Sequence, residues 1–133
     1  MIILGAMRAA AVTVVGECRD VHGRLEATNG NPSLRIWVVG TKRILGVAGD
    51  EGAELLPSSL RELISFEATL YGDFRVCPVT LPKPAAMQLV CIKAGRRLVQ
   101  ERTMPDGSRT QRKLPDVPRG NEAPKCPEVA VQQ

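Results

Sequence analysis

Hydrophobic and polar positions alternate from residue 20 onward. In "DVHGRLEA" (20–27), Val21, Gly23, Leu25 and Ala27 share one face, and His22, Arg24 and Glu26 share the other. A period of two marks a half-buried strand. "TNGNP" (28–32) ends it with Asn-Gly, a strong hairpin signal, and a proline that cannot donate to a ladder. Leu34, Ile36 and Val38 resume the apolar row, with Ser33, Arg35, Trp37 and Val39 opposite. Gly40-Thr41-Lys42-Arg43 then turns the chain, and 44–47 returns as a third strand.

A polar break at 49–52 precedes Pro57 and "SSLRELI" (58–64), where Ser59 stands three residues before Glu62. This is the spacing of a capping box and predicts one short helix near 58–64. Strands are expected at 66–70 and 73–80, separated by Tyr71-Gly72. "LPKPAA" (81–86) connects to a strand at 87–94, and Gly95-Arg96-Arg97 turns into a short run at 98–100. Strands at this spacing, cut by Gly, Asn and Pro, predict a mainly all-β domain: a small antiparallel β-sandwich or barrel with one short helix.

The two ends read differently. Residues 1–16 carry one charge, Arg8, followed by an apolar run closing on Gly16, the outline of a cleaved export signal. The alternative is a first core strand. The run is too short to span a membrane as a helix. Residues 101–133 hold five prolines (105, 115, 118, 124, 127), many charges and few apolar side chains, which predicts a disordered tail. The expected division is therefore 1–16, a β domain at 17–100, and the tail.

Composition sharpens this in two ways. Aromatic residues make up only 3% of the 133, so Val, Ile and Leu must build the core. Net charge is +4, but 17–100 carries 11 Lys/Arg against 9 Asp/Glu, and 101–133 carries 6 against 5. No basic arm exists of the kind that drives phosphate-backbone binding, so a nucleic-acid partner is not favoured.

Candidate chemistry is sparse. Of four cysteines, Cys18, Cys77, Cys91 and Cys126, no two have C-x-x-C spacing. A hairpin centred on Pro84 would set Cys77 opposite Cys91, within reach of a disulfide. Cys18, just before the first strand, is the alternative partner for either. Reduced, buried cysteines would be the reading for a cytoplasmic chain. A zinc site from Cys18, His22, Cys77 and Cys91 lacks a diagnostic spacing, and no metal or cofactor is expected. His22, the only histidine, sits on the polar face, so no catalytic residue is assigned. A hydrolase using His22 or Asp73 stays as an alternative. Lys42-Arg43 and Arg96-Arg97 both follow a glycine at expected turns. Together with Trp37 and Arg35 they are the binding candidates, and a barrel binding oligonucleotides through such basic turns is the second alternative. Cations at hairpin tips more commonly keep the tip in water.

The segments "VHGRL" (21–25), Asn29-Gly30, "RIW" (35–37), "GTKR" (40–43), "GDFRVCP" (72–78) and "MQLVC" (87–91) resemble a group of small exported bacterial proteins without an assigned function. The resemblance covers about residues 18–100. It implies a periplasmic or secreted setting in a Gram-negative cell and favours disulfide bonding, and it transfers no functional residue. The expectation is a non-catalytic exported β domain that acts as an interaction or accessory module, with another protein as partner.

Overall fold

A computed structural model describes residues 12–127. The strands are β1 (Arg19–Ala27), β2 (Leu34–Val38), β3 (Ile44–Val47), the two-residue pair β4 (Gly49–Asp50) and β5 (Ala53–Glu54), β6 (Ala68–Pro78), β7 (Gln88–Thr103) and β8 (Arg109–Leu114). The one helix, α1 (Ser58–Arg61), lies between β5 and β6. The main sheet runs β3-β2-β1-β6-β7-β8, and β3 also pairs with β7 in parallel. That extra pairing closes β1, β2, β3, β7 and β6 into a barrel. Three meandering strands, with the next long strand returning beside the first, make a Greek key. The mainly β expectation holds, and barrel is the form it takes.

The alternating rows fill the interior. Leu25, Leu34, Ile36, Leu45, Leu70, Phe74, Val76, Val90 and Ile92 are fully buried in one cluster. Leu56, Leu60 and Ile64 join it from around α1, so the helix plugs the end of the barrel where β3 leaves and β6 enters. Gly23 stands opposite Gly72 across β1 and β6. A methyl group on Gly23 would lie 2.5 Å from Ile36 Cγ2, and one on Gly72 would lie 2.6 Å from Leu98 Cδ2. Two glycines in register make the room that Ile36 and Leu98 occupy.

Three expectations are corrected. Tyr71-Gly72 does not divide two strands, because β6 runs through it and absorbs the irregularity as a bulge between Tyr71 and Asp73. Arg96-Arg97 is not a turn either. β7 continues to Thr103, with Arg97 in the left-handed region at φ 52°. A bulge lets a long strand curve around a small barrel without breaking its ladder. The third concerns the C-terminal segment. Residues 101–114 finish β7 and form β8, whose side chains stay mostly exposed, and backbone hydrogen bonds supply the pairing. Beyond β8, Val117 is buried and exchanges both backbone hydrogen bonds with Gly95. Cys126 is buried and disulfide-bonded. Composition missed this order because few apolar anchors and one covalent bond do the holding. The proposed leader at 1–16 lies mostly outside the described residues. Its last part packs on the barrel: Val14 is buried and Val15 N donates to Pro78 O at 2.9 Å.

Candidate binding surface

The outer face of the barrel is assembled by register. Ile44, Trp37, Arg24, Tyr71 and Val99 follow one another across β3, β2, β1, β6 and β7 as a single transverse row. Trp37 is 37% exposed, Val39 39% and Ile44 43%, which makes an apolar patch at the β2–β3 end of that row. Trp37 is held in place: its Nε1 donates to Thr41 O at 2.7 Å. Thr41 in turn donates from Oγ1 to Val38 O, and its hydroxyl accepts from Arg43 N at 2.9 Å. The turn is therefore locked by its own hydrogen bonds. Arg24 lies over the Tyr71 ring at 5.9 Å from the centroid, and its Nε is buried with no hydrogen-bond partner among the described residues. A half-exposed tryptophan beside an arginine and a tyrosine is the side-chain mix that dominates binding hot spots.

The other sequence candidates are dispersed. Arg35 folds back so that its Nε donates to Pro32 O at 3.1 Å. Lys42 and Arg43 are both exposed, but Arg43 also reaches Gln88, so its role is more than keeping a hairpin tip wet. Arg96 pairs with Asp20 at 3.6 Å, and Arg97 donates from Nε to Asp73 at 2.6 Å. The two basic pairs therefore engage separate partners and do not build one basic end. Phe66, at the start of the strand expected at 66–70, is 69% exposed, because it precedes β6 on the surface instead of entering the barrel.

His22 and Asp73 do come together, as cross-strand partners with Nδ1 2.9 Å from the carboxylate. They line a cavity of about 460 Å³ with Asp20, Val21, Arg96, Arg97 and Asp116. The hydrogen bond from His22, helped by Arg97, holds the Asp73 carboxyl below its usual range. Such a pair can accept a proton at the imidazole. Among the described residues no Ser, Thr, Cys or Lys lines the cavity, so a nucleophile there would be water or one of the carboxylates of Asp20, Asp73 and Asp116.

The cysteines form two adjacent disulfides, Cys18–Cys77 and Cys91–Cys126. The sulfurs of Cys77, Cys91 and Cys126 lie within 4.8 Å of one another. Cys77 and Cys91 do face each other across β6 and β7, as the hairpin register required, but each bonds elsewhere. Cys126, which lay in the segment expected to be disordered, is the partner that sequence reading left out. The pair pins the N-terminal segment and the C-terminal strap to the same outer face, where Val14, Ala48 and Leu55 complete a second apolar cluster.

Over Gly46, the loops 28–33 and 79–87 meet. An added Cβ there would lie 2.5 Å from Pro32 Cγ and 2.9 Å from Met87 Sδ. Five-stranded Greek-key barrels that bind oligonucleotides use the face of the second and third strands and the two loops corresponding to these. Here those loops close on each other. No helix among the described residues is long and apolar enough to cross a membrane. No protein-family model, curated protein or solved structure matches the chain.

Proposed function

We propose that the chain is a non-catalytic, exported interaction module of the periplasm or extracellular space, and that it docks a partner protein on the face centred on Trp37. The observation that carries this is the outer-face row Ile44–Trp37–Arg24–Tyr71, in which Ile44 and Trp37 are exposed beside Val39 while Arg24 and Tyr71 are half-buried. An anchored indole loses little entropy on binding and buries a large apolar area. Two disulfides support an oxidising compartment, since such bonds are rare in reducing cytosol.

The test expresses the full chain in a Gram-negative host and recovers periplasm and cytoplasm separately. Oxidised protein in the periplasm, with partners retained by wild type and lost by Trp37→Ala, supports the reading. Four free thiols in the cytoplasm, or equal retention by both proteins, overturns it.

One observation favours a second reading. The Greek-key barrel connectivity is shared with oligonucleotide-binding barrels, and Arg35 and Trp37 lie on the strand such barrels use. Against it stand the closed loops over Gly46 and the carboxylates paired with Arg96 and Arg97. Retention on single-stranded DNA that falls steeply with salt would promote this reading over the first.

A further inference from the structure

We propose that the barrel mouth opposite α1, where Arg19 and Arg43 converge on Gln88, is a binding site for a phosphate dianion, free or as the head group of a monoester. The site lies at the rim of the barrel, where exposed Arg43 and half-buried Arg19 meet buried Gln88, and it stands independently of the Trp37 reading.

Strand direction creates it. β1 and β7 begin at this end, β6 finishes there, and the turn between β2 and β3 lies there. Arg19 pairs with Val76, a core residue, and sits in the alternating row of Gly23 and Leu25. Arg43 stands two residues before the core residue Leu45, whose parallel partner is Gln88. Gln88 is 6% exposed, and its amide is fixed because Nε2 donates to Thr80 O at 3.1 Å. The carboxamide oxygen therefore faces the mouth. Arg19 Nη2 donates to that oxygen at 3.3 Å, and Arg43 Nη2 donates to the same atom.

Two guanidinium groups thus meet on one neutral oxygen. Arg24, Arg61, Arg75, Arg96, Arg97 and Arg109 each have a carboxylate within ion-pair distance. Arg19 and Arg43, like Arg35, Arg102, Arg112 and Arg119, have none among the described residues, and only Arg19 and Arg43 converge on one oxygen. Asp20, next to Arg19 in sequence, lies on the outer face and pairs with Arg75 and Arg96. Partial burial, then the nearby Arg43 charge, hold the Arg19 guanidinium below its usual range, the mark of an uncompensated pair. Each guanidinium retains a planar fork of donors that matches two oxygens of an oxyanion. A dianion neutralises both charges at once; a single carboxylate would neutralise one.

Trp37 reports on the site, because its indole bonds Thr41 in the turn that carries Arg43. The oxidised full chain is titrated with inorganic phosphate at constant ionic strength, following Trp37 emission and thermal melting. We expect a saturable response with half-saturation at ~0.1–10 mM. Arg19→Gln and Arg43→Gln should each weaken it by about tenfold or more, while Arg61→Gln, whose partner Glu54 lies elsewhere, should leave it unchanged. Without phosphate, Arg43→Gln should melt at or above wild type, since one of two repelling charges is gone. A lower melting point with retained phosphate binding overturns the proposal.

Further arms use phenyl phosphate, diethyl phosphate and acetate. Binding of inorganic phosphate alone supports a free ion as the ligand, and equal or tighter binding of phenyl phosphate supports a monoester. Equal binding of the monoanionic diester or acetate overturns the dianion assignment. So does a linear, unsaturable salt effect shared by wild type and Arg43→Gln.

Discussion

Cys77 and Cys91 face each other across the β6–β7 ladder, and each is bonded to a different cysteine. Cys18 takes Cys77 from the N-terminal side, and Cys126 takes Cys91 from the C-terminal side. The unused cross-strand pairing is within reach, because the Cys77, Cys91 and Cys126 sulfurs lie within 4.8 Å of one another. In Cys18→Ala, the freed Cys77 thiolate can attack Cys91 and expel Cys126 as a thiol. Peptide mapping of wild type without reductant should give Cys18–Cys77 and Cys91–Cys126. Mapping of the variant should show Cys77–Cys91 with Cys126 alkylated, and a wholly retained Cys91–Cys126 bond would contradict the exchange. Replacing both Cys91 and Cys126 by alanine should cost about 2–4 kcal/mol, read from denaturant unfolding.

The Gly23–Gly72 pair predicts an asymmetry in glycine substitution. At Gly72 an added methyl meets Leu98 Cδ2 at 2.6 Å and Arg96 O at 3.0 Å, so a backbone atom blocks relief. At Gly40, in the solvent-exposed turn, nothing lies within 4 Å, and the obstacle is only the positive φ of 82°. Gly72→Ala should destabilise by about 1–3 kcal/mol through overpacking, and Gly40→Asn, which tolerates that backbone, by far less. Equal losses in urea unfolding would mean that the close approach is relieved by movement of β7.

How far this was legible in the sequence depends on what fixes each feature. The rows Leu34-Ile36-Val38 and Val21-Gly23-Leu25 carry their own period, so β1 and β2 and their faces could be read directly. Facing of Cys77 and Cys91 followed from the hairpin centre, and it holds from Pro78 to Val76. It slips at the bulges near Arg75 and Tyr71, because barrel curvature decides bulges and leaves no local mark. Closure of β3 on β7 depends on segments about forty residues apart. The convergence of Arg43 with Arg19, in place of Arg96 and Arg97, follows from that closure and was equally out of reach.

The capping box illustrates the same limit and yields a pH prediction. Ser59 and Glu62 have the right spacing, but α1 has no side-chain cap of its own. Instead Glu122, from the C-terminal strap, accepts from Ser59 N at 2.8 Å and from the hydroxyls of Ser58 and Ser59. Those bonds, the Ser59 hydroxyl foremost, lower the Glu122 carboxyl from 4.5 to about 2. A carboxyl depressed in the folded state contributes stability above its unfolded value and loses it as pH falls. The strap should therefore loosen between about pH 4.5 and 2, seen as increased amide exchange at Ser59. Glu122→Gln should show that faster exchange at neutral pH and lose its dependence on acid in this window. A Ser59 amide equally protected in both proteins would sink the assignment.

Trp37 separates binding from stability. The indole lies on the outer face, 37% exposed, and its one hydrogen bond closes a turn already bound by Thr41 and by Val38 N to Arg43 O at 3.0 Å. Removing it leaves the interior rows of Leu34 and Ile36 untouched, so Trp37→Ala should cost only about 1 kcal/mol in unfolding, the worth of one hydrogen bond. A central anchor of an interface costs about 2 kcal/mol or more when truncated, roughly thirtyfold in affinity. Trp37→Phe keeps the flat apolar surface and loses the Nε1 donor, so it should bind nearly as wild type while showing the same small stability loss. The discriminating measurement pairs urea unfolding with partner affinity for all three proteins. If Trp37→Ala loses several kcal/mol of stability and Trp37→Phe restores it without changing affinity, the residue is a structural clasp for the turn, and the docking face must be sought elsewhere on the barrel.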